Sequence, residues 1–153
     1  MLTRCALLTG WLCTAVVACS PSPVGSTPVE VVSAFVERMQ AVHGDPQRGR
    51  LAFELLAKDA RENLAERARR ATAASGRQVN PEEMLVPSAF GLAFVPRSLT
   101  PEIRGDYARV TILGPAPLER AEVHCVRENG NWRVQVDFPA SPPIQAREPE
   151  PQG

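Results

Sequence analysis

Aromatic residues make up only 5% of the 153-residue sequence, and histidine occurs just twice. The two histidines, His43 and His124, are far apart and share no ligand spacing with a cysteine or carboxylate, so neither a metal nor a cofactor is expected. No Lys/Arg tract stands out, and 17 basic residues balance 17 acidic ones, which removes the electrostatic footprint of a nucleic-acid partner. No apolar run reaches the roughly 20 residues that a membrane-spanning helix needs.

The longest apolar stretch, Cys5 to Ala18, follows a single positive residue, Arg4, and ends in Val16-Val17-Ala18-Cys19. A short basic start and an apolar segment of this length form the leader of an exported protein. The four residues at its end resemble the lipobox of bacterial lipoproteins, with a branched apolar residue first and a small one before the cysteine. That resemblance implies cleavage after Ala18, a diacylglycerol on the Cys19 sulfur and an acyl chain such as palmitate on the freed amine. Each buried methylene contributes roughly 0.8 kcal/mol, so two or three chains anchor the protein durably. Ser20, where inner-membrane retention would use Asp, favours the outer membrane, on its periplasmic or surface face. An ordinary secretory signal cut between Val17 and Ser20 is the alternative, and it would leave Cys19 a plain thiol.

Cys5 and Cys13 depart with such a leader, and a thioether at Cys19 cannot join a disulfide. Cys125 is then the one remaining thiol, and its strand position points inward, as suits a buried cysteine in an oxidising compartment. A redox or catalytic thiol is the sharper alternative. Four regions follow from composition: a signal peptide at 1–18, a lipidated cysteine and Pro/Ser tether at 19–27, one domain at 28–139, and a Pro-rich tail at 140–153 with too few apolar residues to fold alone.

The domain begins with helical signals. Thr27-Pro28-Val29-Glu30 offers a hydroxyl N-cap, proline at the first helical position and a glutamate to close a capping box. Val32, Phe35, Val36, Met39 and Val42 continue one apolar face. Asp45-Pro46 starts a second helix with Leu51, Leu55 and Leu56, and Asp59 with Glu62 opens a third that stops at Gly76. Asn80-Pro81-Glu82-Glu83 reads as a short last turn. The charged face of the third helix, Arg61 to Arg70, reads as solvated and laced with i,i+4 pairs, with a binding surface as the alternative.

Beyond Ser88 the apolar period becomes two. A strand is expected around Ala89 to Val95, followed by hairpins at Gly105-Asp106 and Asn129-Gly130. The first turn sets Arg104 against Tyr107, Ile103 against Ala108, Leu99 against Ile112, and Glu102 against Arg109 as an ion pair. The second sets Arg127 against Trp132, Cys125 against Val134, Val123 against Val136 and Ala121 against Phe138. Glu122, His124, Gln135 and Asp137 fall on the opposite face. The expected class is α+β: three N-terminal helices packed on a curved antiparallel sheet of about four to five strands.

A leading capped helix, two further helices and a terminal hairpin closing on Glu128-Asn129-Gly130-Asn131-Trp132-Arg133-Val134 resemble the nuclear transport factor 2-like superfamily, in particular its bacterial lipoproteins of unknown function. The resemblance implies a cone with a cavity between sheet and helices, which different members use for catalysis, for ligand binding or for dimerisation through the sheet. Phe35, Val123, Cys125, Trp132 and Val134 are the candidate pocket or core wall. Glu122, His124 and Asp137 are a candidate acidic surface cluster. No catalytic residue is assigned. The favoured reading is a non-catalytic envelope lipoprotein, joined to the membrane through Cys19, that binds a partner protein or small ligand through its cavity or sheet face; a homodimer through the sheet is a further candidate. The alternative is an isomerase or hydrolase using Glu83, Glu102, Glu122 or Asp137 as a base, which requires a carboxylate with raised pKa inside the cavity.

Overall fold

In the computed structural model of the chain, which describes residues 24–42, 45–85 and 91–138, three helices precede four strands. The expected leader, Cys19, His43 and the Pro-rich tail lie outside the described residues. Helix α1 spans Pro28–Ala41 and opens on the expected capping box: the Glu30 N–H donates to Thr27 Oγ1, and the Thr27 N–H donates to the Glu30 carboxylate, each at 3.2 Å. Its buried face is Val31, Val32, Phe35, Val36 and Met39. Helix α2 spans Pro46–Phe53, with Asp45 Oδ1 accepting from the Gln47 N–H at 2.9 Å. Leu51 of α2 is exposed, whereas Ala52, Leu55 and Leu56 are buried.

Helix α3, Lys58–Ser75, starts one residue before the expected Asp59 and has no side-chain cap of its own. The reason lies in the sheet, because the Ala57 N–H donates to the Val134 carbonyl at 2.8 Å and fixes where the chain turns. The exposed helix-end donor is satisfied from afar. Glu128 takes the Lys58 N–H on both carboxylate oxygens, at 2.9 and 3.2 Å. The helix ends at Gly76 with φ +68°, the left-handed conformation that favours glycine. A 3-10 turn, Pro81–Met84, follows and packs against α2 and α3.

Strands β1 (Ser98–Arg104), β2 (Tyr107–Leu113), β3 (Arg120–Glu128) and β4 (Asn131–Gln135) form one antiparallel meander in the order β1-β2-β3-β4. Both turns hold two residues. Gly105 alone has positive φ in the first, as type II′ requires, and Asn129 and Gly130 both have it in the second, as type I′ requires. The expected registers follow, including Glu102 opposite Arg109 and Cys125 opposite Val134. The ion pair is different, however: Glu102 pairs along its own strand with Arg104, and Arg109 reaches across to Glu122.

Two expectations for the strands fail. Gly91–Val95 is not a strand. Leu92 and Phe94 alternate towards the core, which produces the period of two, but they pack as irregular chain ahead of Pro96, and the residues before Gly91 are outside the described set. Pairing of β3 with β4 also stops at His124 and Gln135, so Val123 does not face Val136 nor Ala121 face Phe138. Phe138 instead lies beneath the Arg67 guanidinium of α3, which is 5.2 Å from its ring centre.

One face of the sheet is covered by α1, which packs on β1, β2 and β4. Val110, Ile112, Cys125, Trp132 and Val134 meet the α1 residues there, with Leu56 and Leu64 completing the core. No charged or polar residue is buried among the described residues.

Candidate functional site

The site is built by a difference in strand length. Strand β3 has nine residues and β4 five, so β4 covers only the Glu128 half of β3. Along that covered half, β4 is itself closed on its outer side: the Trp132 N–H donates to the Gly25 carbonyl at 2.7 Å, and the Val134 N–H to the Leu55 carbonyl at 2.9 Å. Along the other half, where β4 has ended, the sheet opens into a cleft of about 340 Å3.

Phe35 of α1, Leu92, Val123, Val134 and Val136 give the cleft apolar walls, and Glu122, His124, Gln135 and Asp137 give it a polar lip. The hydrogen-bond alternation of β3 follows from its neighbours. The Gly114 N–H donates to the Glu119 carbonyl and the Arg127 N–H to the Asp106 carbonyl, so odd-numbered residues of β3 bond to β2 and even-numbered ones point towards β4. Glu122 is even-numbered and lies past the end of β4, and its main-chain groups therefore face the cleft with no strand opposite among the described residues.

The electrostatics of the lip are set by arginine. Arg120 Nη2 donates to Glu122 Oε1 at 2.8 Å, and Arg109 Nε stands 3.8 Å from Glu122 Oε2. The hydrogen bond from Arg120, supported by the charge of Arg109, holds the Glu122 carboxyl below the ordinary carboxylate range. Glu83 is also held low, by the Asn80 N–H at 2.8 Å and the Arg77 guanidinium at 2.9 Å, in the capping box of the 3-10 turn and away from the cleft. Glu102 is on exposed β1. Among the described residues no group of three His, Cys, Asp or Glu side chains is arranged to hold a metal.

The two sets of residues singled out by sequence thus meet, in part. Phe35, Val123 and Val134 line the cleft beside Glu122, His124 and Asp137. Cys125 and Trp132 do not line it; both are buried in the core. Burial pushes the Cys125 thiol up to about 12, which leaves it protonated and unreactive at neutral pH. Trp132 carries the Arg127 guanidinium 5.9 Å from its ring centre. Sequence reasoning missed Gln135, Val136 and Leu92 as lining residues and Arg109 and Arg120 as the partners of Glu122. The period of two along β3 places Arg120 beside Glu122 on one face, and the β2–β3 register would have brought Arg109 within reach.

A second, smaller concavity of about 200 Å3 is lined by Glu102, Tyr107, Arg109 and His124 together with the core residues Ala108 and Cys125. No protein-family model matches the chain, and comparison with curated proteins and with solved structures yields no match.

Proposed function

We propose that this chain is an envelope lipoprotein, anchored through Cys19, whose nuclear transport factor 2-like domain binds an extended segment of a partner protein in the cleft beyond β4 and carries out no catalysis. The observation that carries the reading is the main chain of Glu122, which has no strand opposite it among the described residues and lies above an apolar floor. A segment laid there as an added strand would gain backbone hydrogen bonds from β3 and would seat alternate side chains against Phe35 and Val123. The arginine pair supports recognition over chemistry, because a general acid or base at neutral pH needs a carboxyl held above its ordinary range, and Glu122 is held below it.

The test is site-specific photo-crosslinking in the cell envelope from a photoreactive amino acid at Asp137, on the exposed lip. A defined adduct should form there and not from Asp106, in the exposed turn at the other end of the sheet. Glu122→Pro, which removes the outward N–H, should abolish the adduct, and Glu122→Gln, which keeps it, should not. Equal adducts from all these proteins would overturn strand addition. A small molecule retained by the purified domain and displaced by Val123→Trp would establish ligand binding in its place, since the cleft volume lies within the range of small-ligand pockets.

A further inference from the structure

We infer that the tether fixes which end of the domain faces the bilayer: the end carrying the two hairpin turns lies against the membrane, and the cleft opens on the half directed away from it. This rests on the lipoprotein reading given above.

Chain length and the point of attachment set this orientation. Gly25 is the first of the described residues tied to the sheet, through the Trp132 N–H at 2.7 Å, and it is buried with φ +111°. A side chain there would meet the Trp132 carbonyl oxygen at 3.1 Å, so the close approach needs glycine. Only Ser20 to Val24 separate this point from Cys19. Fully extended, that stretch spans no more than roughly 20 Å.

The point of attachment is at one end of the sheet. Trp132 is the second residue of β4, next to the Asn129-Gly130 turn, and α1 begins three residues after Gly25. The Gly105-Asp106 turn is at the same end, since the Arg127 N–H donates to the Asp106 carbonyl at 2.7 Å. Glu122, on the cleft lip, is six residues along β3 from Glu128, which at the rise of a strand is roughly 20 Å further from the anchor. A tether of about that length keeps the turn end within its own reach of the lipid, so the cleft half is on average the more distant from the bilayer. The cleft is then presented to proteins or ligands in the aqueous space.

The experiment uses the mature, acylated protein in vesicles that carry a nitroxide on the lipid headgroup. With Cys125 replaced by alanine, a fluorophore is attached at Asp106→Cys, in the exposed turn, or at Leu118→Cys, in the loop at the far end. Quenching should be at least twofold stronger at position 106 than at 118. Inserting twenty Gly/Ser residues after Ser22 should remove most of that difference. Equal quenching, or stronger quenching at 118, in protein whose intact mass shows acylated Cys19 overturns the orientation and leaves the lipoprotein reading standing. An intact mass without acyl chains overturns the lipoprotein reading, and the orientation with it.

Discussion

The two halves of β3 are neighbours in one strand and have opposite surroundings. From His124 to Val126 the strand is paired on both sides, and its outer neighbour β4 is sealed by main-chain bonds to Gly25, Leu55 and Ala57. From Arg120 to Val123 it has β2 on one side and the cleft on the other. Sheet edges invite pairing, and the molecule treats its edges differently. The β1 edge is blunted by Pro101 and by the charges of Glu102 and Arg104, the β4 edge is covered by the chain itself, and the short edge at Glu122, above apolar side chains, has no strand opposite among the described residues. Two pieces of chain, at Gly25 and at Leu55–Ala57, cover one edge, whereas four residues of β3 have no strand opposite among the described residues, and the proposed strand addition rests on that contrast.

Breaking the sealed half should cost the most. Leu56 is fully buried and bridges to Val134 from the α2–α3 connection, so Leu56→Ala should lose about 2–5 kcal/mol in urea denaturation. Val123→Ala, at the half-buried cleft wall, should lose about 1 kcal/mol or less. Equal losses would remove the distinction between the halves. Gly25→Ala places a side chain at positive φ against the Trp132 carbonyl, and a loss of about 1–3 kcal/mol is expected from thermal unfolding; an unchanged midpoint would mean that Gly25 does not close the β4 edge.

The smallest effect concerns the open half and its pH dependence. A carboxyl held below its ordinary range contributes stability above that range, and the contribution is lost as pH falls through the lowered midpoint. The Glu122 side chain, followed by NMR, should therefore titrate below the ordinary value, and Arg120→Ala should move the midpoint upwards. An unmoved midpoint would contradict the role given to Arg120.

The residues that reveal the fold most clearly in the sequence are those that act locally. Thr27 and Glu30 cap α1, Gly76 ends α3, and the Gly105-Asp106 and Asn129-Gly130 turns set both hairpin registers, all within a few residues of chain. The failures are tertiary. The start of α3 is fixed by Val134 and Glu128 from the far end of the chain, and beyond the end of β4 Phe138 lies against Arg67 of α3. Leu92 and Phe94 have the alternation of a strand because they line the core, with no strand partner to pair them. The cleft was half legible for the same reason: its lining residues alternate correctly on β3, but its existence depends on where β4 stops.

Amide hydrogen exchange of the mature protein in the absence of any partner tests that stopping point directly. The Glu122 N–H should exchange rapidly, while those of Trp132, Val134 and Ala57, bonded across the sealed edge, should be protected to the level of the core strands. Protection of Glu122 equal to that of Val134 would mean that the edge of β3 is already filled, and the binding site proposed here would not exist.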